Sequence, residues 1–192
     1  FGMAMRRLSG FTLAAVVSPH APDKELPEIP AEVRRFRRLD EALEQADVDA
    51  VIVACATRHH AEIVRTATER GLPSLVEKPL AASIVEAEQL CTQTNASITV
   101  AQQLRLAGGV DELLALLGDR SGADRPVEIE VIYRASPHSP AGLHAWSRTA
   151  FYELFIHLGD LARVLAGQTL SVRRATAHGG GRPERVSIRA RA

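Results

Sequence analysis

Cysteine is scarce in this sequence. Only Cys55 and Cys91 occur among 192 residues, far apart and without CxxC spacing, which excludes a disulfide framework and a zinc ribbon. A reducing, cytoplasmic setting is the expectation. Net charge is lacking as well, since Lys plus Arg and Asp plus Glu number 23 each; no overall field favours a polyanion or an anionic membrane. Aromatic residues make up 4% of the chain, and a single one, Phe36, falls within the basic run Arg34, Arg35, Arg37 and Arg38, too few for a base-stacking surface. That run reads as a solvated face, and nucleic acid is not an expected partner. No apolar stretch approaches membrane-spanning length. The run Leu13 to Val17, behind Met5-Arg6-Arg7, falls short of the ~7–15 residues of a secretory core. Neither a membrane nor a leader segment is expected, and internal repeats and low-complexity segments are missing too.

What is present is the composition of a folded protein, 46% hydrophobic and 24% charged,. Phe11 to Val17, Val33 to Phe36, Ala50 to Ala54, Ser74 to Val76 and Ile98 to Ala101 read as short apolar strands,. Between them lie helical patterns. Asp40 is placed to cap a helix over 41–46 and Thr57 to cap one over 58–70, which Gly71 and Pro73 then stop,. Ser83-Ile84-Val85-Glu86 is a capping box for a helix ending near Thr94,. Strands that are apolar on both faces and alternate with helices imply a Rossmann-like, doubly wound parallel sheet.

After Gln102 the rhythm changes. A helix is expected from about Gly109 to Leu117, then a strand with one wet face over Val127 to Arg134,. Leu170 to Ala177 and Arg185 to Ala190 read as two more strands, joined by Gly179-Gly180-Gly181 as a hairpin turn,. The expected organisation is an α/β domain over 1–102 and part of an α+β domain, with an open and mainly antiparallel sheet, over 103–192.

Two places carry candidate chemistry. Lys78, in Glu77-Lys78-Pro79, directly follows a strand, and in a parallel sheet the carboxyl ends of the strands face the ligand crevice. An ammonium there can polarise a carbonyl oxygen. On the otherwise apolar helix around Phe151 to Leu165, the spacing of Glu153, His157 and Asp160 puts all three on one face,. His59 and His60 adjoin each other, but neighbours on a helix diverge by roughly 100 degrees, so no metal site is expected. His144 and Trp146 precede that helix and are candidates to line a substrate pocket.

The stretch DAVIVACATRHHAEIVRTATERGLPSLVEKPLAAS, residues 50–83, closely resembles the segment of Gfo/Idh/MocA oxidoreductases that bears their Glu-Lys-Pro motif. SGFTLAAVVSP resembles the family's second strand, and AWSRTAFYELFIHLGDLARVLAG its substrate-domain helix. The resemblance implies hydride transfer between NAD or NADP and a secondary alcohol or ketone of a sugar, polyol or related small molecule. It implies Lys78 touching substrate and nicotinamide ribose, His157 as acid and base with Glu153 holding its ring, and Asp160, Trp146 and His144 toward substrate. Ser18, Thr57, His60, Glu77, Lys78 and Pro79 would line the cofactor.

The family's helix motif is D-x-G-x-H-x-x-D. Here Glu153 replaces the first aspartate and Phe155 the glycine, so a non-catalytic relative serving as a binding or assembly module is the alternative expectation. Phe1 falls inside the first helix of the family pattern, so the chain reads as cut before the glycine-rich loop and again within its second domain. On its own it would not bind dinucleotide in the ordinary way, and loss of the central strand would separate the halves of the sheet. Ser18 stands where an acidic residue usually holds the ribose 2′-hydroxyl, which tilts the expected cofactor toward NADP. Homo-oligomers are expected of the full-length protein.

Overall fold

The structure, a computed structural model, describes residues 9–20, 29–93, 95–117, 148–167, 171–178 and 185–191. Two compact units divide the chain, Phe1–Val100 and Ala101–Ala192.

In the first unit every strand pair is parallel. Strand β1 (Ala15–Val17) pairs with β2 (Arg34–Phe36), and β3 (Val51–Val53), β4 (Ser74–Val76) and β5 (Ile98–Val100) form a separate sheet in that order. The parallel, helix-linked architecture expected from the apolar runs is present, and the sheet lies in the two groups anticipated. Helix α1 (Leu39–Gln45) follows β2, α2 (His60–Glu69) links β3 to β4, and α3 (Ile84–Gln93) links β4 to β5.

Residue spacing explains the packing. Ala61, Val64 and Ala67 recur along one face of α2 and are buried against Val51, Val53 and Val76 of the sheet, with Ala81 and Leu90 completing the core. Small residues on the helix let it approach the sheet closely. The fully buried Val64, Val76 and Leu90 side chains each contribute about 1.5–3 kcal/mol.

The expected signals at the helix ends met different fates. Gly71, at φ 73°, closes α2 with bonds from its own amide to Thr68 O (2.8 Å) and from Leu72 N to Ala67 O (3.0 Å). That is a Schellman termination, which the left-handed glycine permits. Ser83 accepts the Glu86 amide at 3.2 Å, but the Glu86 carboxylate takes the Ser83 hydroxyl rather than the backbone amide.

Asp40 does not cap α1. The helix starts earlier, with Arg38 at the N-cap and no side-chain cap bond, and Asp40 in the first turn pairs with the Arg38 guanidinium at 3.0 Å. Thr57 does not cap α2 either: it opens a 3-10 turn, Thr57–His59, whose backbone satisfies itself through His59 N to Ala56 O at 2.9 Å.

The arginine run is held internally at three of its members. Arg34 donates to Gln45 and stacks 4.9 Å over Phe36, Arg37 donates to Pro19 O at 2.8 Å, and Arg38 is paired with Asp40 as above.

The second unit opens with a 3-10 turn (Gln103–Leu106), then α4 (Val110–Leu117), α5 (Arg148–Ala166), β6 (Ser171–His178) and β7 (Arg185–Arg191). The last two strands pair antiparallel from Ser171↔Arg191 to His178↔Arg185, with an irregularity between Val172 and Arg174. The expected strand over 127–134 and the glycine triplet 179–181 lie outside the described residues. Among the described residues, no helix is long and apolar enough to cross a membrane.

Candidate active site

Because β3 and β4 run parallel with Val53 opposite Val76, the turns that follow them leave from one edge of the sheet. The turn after β3 contains Cys55, Ala56 and Thr57, and that after β4 contains Glu77, Lys78 and Pro79. Lys78 is therefore placed just beyond the carboxyl end of a parallel strand. The Glu77 amide continues the ladder to Val53 O at 2.8 Å, and the Lys78 amide donates to the Glu77 carboxylate at 3.2 Å. The Lys78–Pro79 peptide is cis. Glu77, Lys78, Pro79 and Thr57 are all half-buried.

His60 is unlike the other residues expected at the cofactor. It is 1% exposed, with Nδ1 2.8 Å from Pro79 O and Nε2 3.1 Å from Cys55 O. Its ring is thus turned inward onto backbone, while His59 beside it is exposed. The helical divergence that argued against a shared metal separates the two side chains.

Ser18, after β1, donates its amide to Phe36 O at 3.1 Å and accepts the His20 amide on its hydroxyl at 3.3 Å. Arg37 reaches the adjoining Pro19 carbonyl. A guanidinium thus stands beside the Ser18 turn although it is distant in sequence.

In the second unit, α5 carries Glu153, His157 and Asp160. The structure brings His157 to a partner that the helix pattern does not contain: Nδ1 lies 3.1 Å from the side-chain oxygen of Gln102. An amide oxygen only accepts, so Nδ1 carries the proton in this bond and a neutral ring presents Nε2 as the basic nitrogen.

Asp160, which the resemblance directs toward substrate, has a cationic partner within its own unit. Both its oxygens accept from Arg105, one of them at 2.6 Å, and Arg163 lies 3.7 Å away. The bond from Arg105, opposed in part by burial, holds the Asp160 carboxyl below its usual range and raises the Arg105 guanidinium above its own,. The Glu153 side chain and all of His144 and Trp146 lie outside the described residues.

Gln102 and Arg105 are partners of the candidate residues that helix periodicity does not reveal. Both contacts span 55 residues, and the one local cue is that Gln102 sits just beyond the β5 strand, the kind of position that marked Lys78.

Residues 1–102 match the family model described as an oxidoreductase family with an NAD-binding Rossmann fold. Inositol 2-dehydrogenase 4 of Saccharopolyspora erythraea is 31% identical over 177 residues, covering 86% of this chain and 49% of that protein. Two solved structures share the fold. The myo-inositol 2-dehydrogenase of Lactobacillus plantarum has TM-score 0.67 at 16% identity, over 92% of this chain and 54% of that one. An oxidoreductase of Agrobacterium radiobacter in complex with NAD+, L-tartaric acid and magnesium has TM-score 0.68 at 21% identity, over 94% and 54%. The chain spans at most about half the length of these curated relatives and structures, 49% and 54% in the cases given. With its Glu77-Lys78-Pro79 turn at the carboxyl edge of a parallel sheet and a family model matched over more than half its length, the chain belongs to the Gfo/Idh/MocA oxidoreductase family.

Proposed function

We propose that this chain belongs to a nicotinamide-dependent dehydrogenase or reductase acting on a secondary alcohol or ketone of a polyol, with an inositol as the first candidate. The observation that carries the reading is the position of Lys78. Parallel register sets it at the strand-end edge where such sheets bind ligands,. The inositol candidate rests on what the curated relative is named for.

The residues fit a dinucleotide. Ser18 and Arg37 stand beside one strand end and Thr57, Glu77 and Lys78 beside two others. Bound there, the nicotinamide supplies the hydride acceptor or donor. The chain's own residues do the rest. Lys78 places positive charge on the reacting oxygen and stabilises it as charge develops. His157, its Nδ1 proton held by Gln102, takes the hydroxyl proton on Nε2 or returns it,. Asp160 is held by Arg105 as a structural anion.

The test is reduction of NAD+ and NADP+ by the intact protein with myo-inositol, scyllo-inositol and a sugar panel, followed at 340 nm. Turnover that is lost in Lys78→Ala supports the reading. Coenzyme binding without turnover on any member would favour the non-catalytic alternative, which Phe155 in place of the motif's glycine supports. The coenzyme itself is expected to be NADP, or both. Ser18 does not repel a 2′-phosphate as a carboxylate would, and the Arg37 guanidinium stands one residue away at Pro19,. Dissociation constants at least tenfold lower for NADH than for NADPH would overturn that preference.

A further inference from the structure

We infer that His60 is a positioning residue for Lys78, its imidazole clasping the turn after β3 to the turn after β4. The inference rests on the reading that Lys78 acts at the reacting oxygen. Its physical basis is independent of it.

The sheet ladder between these strands ends with Glu77 N to Val53 O at 2.8 Å. Past that bond the two chains leave the sheet as irregular turns. The next link between them on this edge is the His60 ring, with one nitrogen on Cys55 O at 3.1 Å and the other on Pro79 O at 2.8 Å. Pro79 is bonded directly to Lys78, so the ring fixes the backbone on which the ammonium stands.

Packing alone does not call for a histidine here. The buried core of this unit is apolar, with Val51, Val53, Ala61, Val64, Val76 and Ala81 among its members, and a buried aliphatic side chain would not desolvate two ring nitrogens. What an imidazole adds is a rigid spacer with polar atoms on opposite sides, long enough to hold two carbonyls at once. Those carbonyls accept only, so a neutral ring donates its single N–H to one of them and a doubly protonated ring donates to both. The residue stands in the first turn of α2, which the Schellman end and the buried face anchor in the core. The clasp therefore refers the Lys78 turn to the buried core of the unit. Catalytic rates are sensitive to such placement, an error of about 1 Å in a reacting group costing up to ~10²-fold.

The test uses the intact protein with His60→Leu, which keeps the volume and removes both bonds, and His60→Asn, which keeps a donor for one carbonyl. Two readouts are taken. Steady-state kinetics are expected to show kcat lowered about 10–100-fold in His60→Leu and less in His60→Asn, with KM for the polyol changed little.

The second readout does not need turnover. Lys78 is one of two lysines in this chain, with Lys24; reductive methylation of the intact protein with carbon-13 formaldehyde labels it, and its resonance is identified by its loss in Lys78→Arg. Its resonance is expected to shift or broaden in His60→Leu and to lie between that and wild type in His60→Asn, while the Lys24 resonance stays in place. If His60→Leu fails to fold, His60→Asn decides alone. A Lys78 resonance in His60→Asn identical to wild type overturns the inference, as does a kcat unchanged in variants that lose only thermal stability. An intact wild type with no dehydrogenase activity would sink the functional reading, and the resonance would still judge the clasp.

Discussion

The two units hold their candidate groups in different ways. In the first, Lys78 stands on a turn beyond a strand end, and its backbone is tied by a buried ring to a neighbouring turn. In the second, His157 and Asp160 stand on a long helix, and their partners Gln102 and Arg105 reach them as side chains. A turn has no periodic backbone bonds of its own, so its geometry depends on tertiary links. A helix carries its own ladder, and losing a side-chain partner there changes chemistry before it changes placement. Positions behind the Lys78 turn should therefore act through geometry, and those around His157 through proton affinity.

The largest effects should come from the two groups themselves. His157→Asn is expected to nearly abolish turnover in the intact protein, and Lys78→Ala to lower it on the order of 10²–10³ with little loss of stability. A near-wild-type rate in either variant would remove that residue from the mechanism and leave its unit as scaffold. Next, Leu90→Ala empties volume in the core beneath α2 and α3, where Leu90 is 2% exposed. A loss of about 2–5 kcal/mol in denaturant unfolding is expected. A smaller loss would mean that the core collapses to fill the gap and that the frame behind the Lys78 turn is softer than its packing suggests.

Arg105→Ala sharpens the contrast from the other side. The Asp160 carboxyl is held below its ordinary 3.8 chiefly by its bond from Arg105. The pair's stabilisation is therefore present in full above that value and is lost as pH falls through the lowered folded-state pKa. The Arg105 side chain is 41% exposed and solvent screening discounts the pair, so about 1 kcal/mol is expected at neutral pH. Unfolding free energies of the variant and wild type should converge at acid pH, once Asp160 is protonated in the folded state as well,. A gap that persists there would assign the effect to lost packing. The smallest effect is Ser83→Ala, which removes the acceptor of the Glu86 amide at the start of α3 and should cost about 0.5–1 kcal/mol in thermal unfolding.

Legibility in the sequence followed the range of each interaction. The parallel strand–helix alternation was readable because burial on both faces leaves unbroken apolar runs at Ala50–Ala54 and Ser74–Val76,. The Gly71 stop and the Ser83 contact were readable because each joins groups within five residues, so spacing alone nearly specifies them. Local signals failed where a long side chain intervened. Arg38 drew Asp40 away from a cap, and a self-satisfied 3-10 turn made a Thr57 cap unnecessary.

Residue order and composition were enough to establish the fold class, the edge on which Lys78 lies and the shared face of His157 and Asp160, because periodicity and strand polarity are properties of the chain itself. Only the tertiary structure decided what holds those groups. It set the buried His60 ring between two backbone carbonyls, gave His157 a hydrogen-bond acceptor in Gln102, and paired Asp160 with Arg105. The physical reason is that each depends on a bond between residues well apart in the chain, 19 positions for His60 and Pro79 and 55 for the His157 and Asp160 pairs. Which donor meets which acceptor over that distance is settled by packing, on which sequence spacing is silent.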